Sequence, residues 1–283
     1  MGIYSAIQFV TSRLPVRGLP ILLSRLPYSP SSEGVLRVGE ISLRLRLTNS
    51  VMRNIYFGVF EKHVMTLMRN MLAPGDTFVD VGANIGFLSA YARTIVGPEG
   101  KVHSFEPVPE FSAGFSDSVS ASGVSNITVN SCAVGEGPGK ADLNIAGESN
   151  IGWNTIVPGF MKDAARSVSV PVVSLSDYFK EKSISKVGLV KIDVEGAEWL
   201  VLKGLEQAFM RGVRPSIVCE TSPEGCRRLG VTLEDLFTYM KGFGYRPFKF
   251  SREGIYRLYT GKVKLQSVSP LDITSTDDVV WTQ

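Results

Sequence analysis

At 283 residues with 44% hydrophobic content, the chain can bury a full-sized core, and its length suits one catalytic domain with an N-terminal extension. Thirty lysines and arginines nearly balance 27 aspartates and glutamates, for a formal net charge of +3; the chain lacks the broad basic field of a nucleic-acid binder, and no nucleic-acid partner is expected. Three cysteines without CxxC spacing, Cys132, Cys219 and Cys226, and two distant histidines, His63 and His103, exclude a disulfide framework and a Cys/His zinc site and favour a reducing, cytoplasmic setting.

Residues 1–55 read as an extension. The first thirty are apolar and basic but broken by Pro15, Pro20, Pro27 and Pro30, so no run reaches the ~20 apolar residues of a spanning helix. Arg13 and Arg17 follow the apolar stretch and Ala6 stands where a myristoylation signal wants serine or threonine, which argues against a signal peptide and a lipid anchor. A short basic helix remains, packed on its own domain or making a peripheral membrane contact. Alternating Ile41, Leu43, Leu45 and Leu47 then predict a strand with one buried face. Phe60, Val64, Leu67, Met68, Met71 and Leu72 recur at helical spacing until Pro74-Gly75 ends the helix.

Short apolar runs follow at 77–81, 101–105, 126–129, 187–192 and 216–219, separated by helical stretches. Such runs are strands buried on both faces, and the intervening helices make them parallel, so the fold class is α/β with a doubly wound, mostly parallel sheet. Residues 135–174 read as an insertion able to cover a site, with a hairpin-like stretch, a Gly/Asn/Pro loop and a strand at 167–173. Residues 244–260 predict a terminal antiparallel hairpin around Glu253-Gly254. The domain is therefore expected to span 56–262, with 263–283 a partly ordered tail.

The chemistry begins at Asp80-Val81-Gly82-Ala83-Asn84-Ile85-Gly86, where a strand runs into a glycine turn and a helix. Glycine there lets a ligand reach the backbone, and the helix start offers free amides to a carboxylate. A second strand ends in Glu106, twenty residues beyond Gly86, where an acid can accept both hydroxyls of a ribose. The Gly82-x-x-x-Gly86 spacing lacks the G-x-G-x-x-G of pyrophosphate binders. Asp80 also suits a cationic methionine amine or sulfonium better than a pyrophosphate, so the expected cofactor is S-adenosyl-L-methionine.

With these residues in hand, the chain resembles the FkbM family of methyltransferases over roughly residues 56–246. Asp80 to Gly86 is similar to that family's first motif, and Phe105-Glu106-Pro107 to its second. Ser131-Cys132-Ala133-Val134-Gly135 resembles the segment beside the adenine, which brings in Ala133 and Val134. Most specific is Val190-Lys191-Ile192-Asp193-Val194-Glu195-Gly196-Ala197-Glu198, which looks like the family's hallmark. The resemblance implies a Rossmann-like class I methyltransferase fold and, as acceptor, a small molecule or glycan: a hydroxyl of a sugar, glycolipid or secondary metabolite.

Lys191 and Asp193, two apart on a strand, share one face, and strand-end acids in open α/β sheets face the cleft. Asp193 or Glu195 is thus a candidate base, Lys191 a group that orients the acceptor oxygen, and Glu220 its anchor. The competing reading makes Lys191 and Asp193 a structural ion pair and Glu195 a helix cap. Two strand-end carboxylates could also hold magnesium or calcium, so a metal requirement stays open. Trp153, in the loop 150–155, is expected either over the acceptor or buried as an anchor, and Glu61 and His63 could border the pocket. Alternative functions are a nicotinamide-dependent oxidoreductase, against which the glycine spacing counts, and a non-catalytic cofactor- or glycan-binding protein.

Overall fold

The structure is a computed structural model, and it describes residues 22, 28–29, 32–147, 152–251 and 263–283. The expected N-terminal basic helix, with its membrane contact, lies outside them, as do Asn150 and Ile151. Among the described residues no helix is long and apolar enough to cross a membrane.

The chain opens with an antiparallel hairpin, β1 (Glu33–Val38) and β2 (Ile41–Arg46). The predicted alternation holds, with Ile41, Leu43 and Leu45 buried and Ser42, Arg44 and Arg46 exposed. That buried face shares a core with α1 (Ser50–Tyr56) and α2 (Lys62–Met71). The hairpin is therefore part of the folded body, and the division expected at residue 55 does not mark a separate unit.

β3 (Thr77–Val81), α3 (Phe87–Val96), β4 (Lys101–Phe105), α4 (Pro109–Ser122) and β5 (Ile127–Asn130) follow in the expected alternation. β6 (Ala133–Val134), β7 (Gly139–Ile145) and β8 (Arg166–Val173) form a separate three-stranded sheet from the predicted insertion. After α5 (Leu175–Glu181) come β9 (Leu189–Ile192), α6 (Glu198–Lys203), α7 (Glu206–Met210), β10 (Ser216–Thr221), α8 (Pro223–Arg228) and α9 (Leu233–Gly242). β11 (Arg246–Phe250), β12 (Leu265–Ser267) and β13 (Asp277–Thr282) end the chain.

The main sheet runs β12-β11-β13-β10-β9-β3-β4-β5. β10, β9, β3, β4 and β5 are parallel, and β13 lies antiparallel between β10 and β11. This is the expected doubly wound α/β sheet with antiparallel strands at one end. Chain order reverses between β3 and β9, which places the ligand crevice at their carboxyl ends.

One expectation is corrected. Residues 263–283 are not a tail: β13 pairs on both sides, with Val279, Val280 and Trp281 fully buried. The apolar run is three residues long and sits in a polar stretch, so its strand character comes from two flanking strands and not from local pattern. β11 pairs antiparallel with both β12 and β13, and the second strand expected at 252–260 lies outside the described residues.

Candidate functional site

The glycine turn is built by its neighbours. Gly82, Asn84 and Gly86 all take left-handed backbone, with φ of 80°, 52° and 80°. The amides of Gly82 and Ala83 both donate to the Phe105 carbonyl at 3.0 Å, which ties the turn to the end of β4. A Cβ on Gly82 would overlap the Asp193 carbonyl oxygen, and one on Gly86 would overlap the Phe115 ring. Glycine at these positions therefore admits the protein's own backbone and core, a requirement separate from the ligand approach expected from the sequence.

Glu106, at the end of β4, is buried, and both of its oxygens already accept backbone amides, from Asn84 at 2.7 Å and Val108 at 2.8 Å. Burial pushes its carboxyl up to about 7, against those two bonds. A carboxylate oxygen has two lone-pair directions, so acceptor capacity for ribose hydroxyls remains.

Lys191 joins the first motif to the hallmark. It stands beside Asp80 across the β3–β9 ladder, and its Nζ donates to the Gly82 carbonyl at 3.0 Å. The same Nζ is 3.1 Å from Asp193 Oδ2 and 3.8 Å from Asp80 Oδ1. Burial alone would lower the lysine's pKa, but the Asp193 and Asp80 charges reverse that and hold it charged. Asp80 is sealed from solvent; its Oδ2 accepts the Ser89 hydroxyl at 2.6 Å, while Oδ1 has no hydrogen-bond partner. Burial raises its pKa, with Lys191 opposing. The ion pair of the competing reading is therefore present, yet Asp193 also reaches the cleft with 31% of its side chain exposed.

Glu195 does not cap the following helix. That helix has no side-chain cap, and Glu198, its first residue, instead accepts the Gly196 amide at 2.9 Å and holds the preceding turn. Glu195, in left-handed backbone at φ 52°, instead meets Asp193 and Glu220, the three offering oxygens within 4.8 Å of one another. Such spacing suits a shared proton or a hard cation. Burial, then the charge of Asp193, pushes Glu195 up to about 8 and Glu220 to about 10, which favours the protonated form of both.

Asp80, Gly82, Asn84, Glu106, Ala133 and Val134 line one open cleft, about 1160 Å³ including its mouth, together with Lys191, Asp193, Glu195 and Glu220. Gly86 alone of the expected residues does not line it. Trp153 stands at the cleft 62% exposed, so it is not a buried anchor. Glu61 lines the cleft, while His63 stands behind it against Asp278. Asp278 was missed in the sequence because it falls in the supposed tail; Glu198, although inside the hallmark, carried no sign that it rather than Glu195 would cap the turn.

All three cysteines are buried free thiols. Burial pushes Cys132 up to about 11 and Cys226 to about 12, and raises Cys219 well above the usual range. Thiolate is the reactive form, so a disulfide reagent is expected to label none of them in the native protein within minutes and all three after unfolding. Rapid native labelling would show at least one thiol to be exposed or activated.

The lining fits a cationic cofactor. A pyrophosphate would meet Asp80, Glu106 and Asp193 with Lys191 as the cation among them, whereas a sulfonium and an amine are attracted by the same acids. A family model described as "Methyltransferase FkbM domain" matches residues 80–247. The 31-O-demethyl-FK506 methyltransferase FkbM of Streptomyces tacrolimicus is 28% identical over 205 residues, covering 62% of this chain and 74% of that protein. Methyltransferase sdnD of Sordaria araneosa is 29% identical over 223 residues, 67% of this chain and 81% of that protein. A crystal structure of a methyltransferase FkbM from Methylobacillus flagellatus KT aligns with a TM-score of 0.45 at 16% identity, covering 82% of this chain and 54% of that one. The chain thus spans about half the length of that solved protein. The family model begins at Asp80 and runs through the glycine turn, Glu106, the hallmark and Glu220; the cofactor is S-adenosylmethionine, and the chain belongs to the FkbM methyltransferase family.

Proposed function

We propose that this enzyme methylates a hydroxyl oxygen of a small molecule or glycan, such as a sugar, a glycolipid or a secondary metabolite. The observation that carries the reading is the convergence of Asp193, Glu195 and Glu220 in the same cleft as Glu106 and the glycine turn, with Trp153 at the mouth. S-adenosylmethionine, when bound, supplies a methyl group already activated on a sulfonium.

The protein's part is to bind, orient and manage a proton. Glu106 holds the ribose hydroxyls, Asp80 faces the methionine end, and Ala133 and Val134 border the adenine. Asp193, held by Lys191, directs the acceptor hydroxyl. Glu195 and Glu220, whose protonated forms burial and the charge of Asp193 favour, donate hydrogen bonds to acceptor oxygens. The exposed face of Trp153 suits stacking on a sugar ring or an apolar scaffold. The Streptomyces relative is a 31-O-demethyl-FK506 methyltransferase, which supports oxygen as the acceptor atom.

Calorimetry with S-adenosylhomocysteine and with NAD, followed by transfer of labelled methyl groups to methyl glycosides, cyclic vicinal diols and macrolide alcohols, tests this. The expected result is binding of S-adenosylhomocysteine, weak or absent NAD binding, and a methyl ether in the product. Methyl groups found on nitrogen or carbon would overturn the hydroxyl reading.

A further inference from the structure

Three groups meet at the cleft wall, all outside residues 80–247 matched by the family model. Glu61 lines the cleft from the N-terminus of α2. It adopts left-handed backbone at φ 44°, and its side chain makes no capping bond to the helix. Its Oε2 lies 3.6 Å from His63 Nε2, which is 2.6 Å from Asp278 Oδ2. The His63 ring stands edge-on to Phe250, with centroids 4.8 Å apart. Asp278 on β13 sits directly opposite Glu220 on β10, and residues directly opposite each other in an antiparallel pair project from one face. Asp278 therefore belongs to the face of the sheet that carries Glu220.

The remaining carboxyl groups of the cleft are committed elsewhere. Both oxygens of Glu106 hold backbone amides, Asp80 is sealed against Ser89, and Asp193 is paired with Lys191. Burial and the charge of Asp193 favour the protonated forms of Glu195 and Glu220, which leaves them poor acceptors of a further proton. Glu61, 28% exposed at its side chain, is the cleft carboxylate with an imidazole behind it. Burial, then Asp278, pushes it up to about 7, and His63 pulls it down. A base poised near the working pH is the effective one.

We propose that Glu61 is the general base that takes the proton of the acceptor hydroxyl, and that His63, fixed by Asp278, is the positioning residue that keeps Glu61 oriented and ionised. The inference rests on the hydroxyl-transfer reading above. In the step, the acceptor oxygen bonds the methyl carbon, the carbon–sulfur bond breaks with its electron pair on sulfur, and the O–H proton passes to Glu61 and on to solvent. His63 is faced by Asp278, Glu61 and Asp277; burial lowers its pKa, but these acids outweigh burial and raise it, which favours the charged imidazolium beside Glu61.

The test uses the full chain and its Glu61→Gln, His63→Gln and Asp278→Asn variants. Glutamate-carboxyl carbon NMR on the S-adenosylhomocysteine complex should show, among the resonances titrating near neutrality, one that is absent in Glu61→Gln and moved to higher pH in His63→Gln, because removing a cation makes the carboxylate easier to protonate. Turnover is followed with methanol, the smallest alcohol probe, and with the glycoside and diol panel. Glu61→Gln should lower kcat by about 10²–10⁴-fold with the S-adenosylhomocysteine Kd unchanged within about twofold. His63→Gln should move the acid limb of the kcat profile upward, and Asp278→Asn, by removing the charge that raises Glu61, should move it downward; a purely structural loss, equal at all pH, would do neither. Overturning results are a Glu61 carboxyl that titrates in the ordinary glutamate range and ignores His63→Gln, full turnover in Glu61→Gln, or stoichiometric manganese binding lost in His63→Gln. If no alcohol is methylated, the hydroxyl-transfer reading fails, while the NMR titration still decides the Glu61–His63 unit.

Discussion

Gly82→Ala is expected to lower the melting temperature by roughly 10 °C and to abolish S-adenosylhomocysteine binding. Gly82 sits at φ 80°, and its added methyl would overlap the backbone carbonyl of Asp193, with Val194 next nearest. Left-handed backbone costs a non-glycine residue about 1–2 kcal/mol, and forcing apart a packed contact costs about 1–3 kcal/mol more. Together these come to about 2–5 kcal/mol, and at about 2–4 °C per kcal/mol for a chain near this size they give the stated shift. The carbonyl cannot rotate away as a side chain would, because Asp193 N donates to Val81 O at 3.0 Å and Lys191 holds the Gly82 carbonyl at 3.0 Å. The turn must therefore move off the end of β9, taking the Asn84 amide off Glu106. Gly114→Ala is the control: Gly114 is exposed in α4 with nothing within 4 Å of the added carbon, so it should be neutral or gain about 0.5–1 kcal/mol. Scanning calorimetry and a binding titration read both, and a Gly82→Ala protein with wild-type melting and affinity would show that the strand ends do not abut.

Asp193→Asn is expected to reduce kcat by about 10²-fold or more while leaving S-adenosylhomocysteine affinity near wild type. The substitution keeps the side chain's shape and removes its charge, so an orienting bond to the acceptor weakens without a cavity. Lys191 keeps two anchors, the Gly82 carbonyl and Asp80, and the fold should survive. A second readout comes from charge. Asp193 raises the pKa of Glu61, Glu195 and Glu220, so its neutralisation should move all three down. The acid limb of the rate profile, set by ionisation of Glu61, should shift to lower pH, opposite to the shift expected from His63→Gln. Rates measured with chelator and with added magnesium separate an orienting acid from a cation ligand. Full activity in the asparagine variant would remove Asp193 from the transfer step, and activity lost only with unfolding would leave it as the partner of Lys191.

Much of this protein was legible along the chain. β3 and β4 fall where the apolar runs at 77–81 and 101–105 placed them, because strands buried on both faces leave an uninterrupted local signature. The glycine turn, Glu106 and the hallmark could be read for the same reason: turn chemistry and strand-end acids are set by neighbours in sequence. What glycine is for at position 82 could not be read, since the atom it makes room for belongs to Asp193. Nor could the choice between Glu195 and Glu198 as the cap of the hallmark turn, which depends on Glu195 taking left-handed backbone and Glu198 folding back on Gly196.

The last strand shows the limit most clearly. Val279-Val280-Trp281 is too short to announce itself, and only pairing with β10 and β11 buries it. With that pairing Asp278 arrives beside His63, 215 residues away in sequence, just as Lys191 meets the Gly82 carbonyl across 109. Periodicity and spacing report what a residue's near neighbours require of it. Which distant side chain meets it depends on strand order and register, and the wall of the cleft at Glu61, His63 and Asp278 was decided there, by the burial of three apolar residues between two strands.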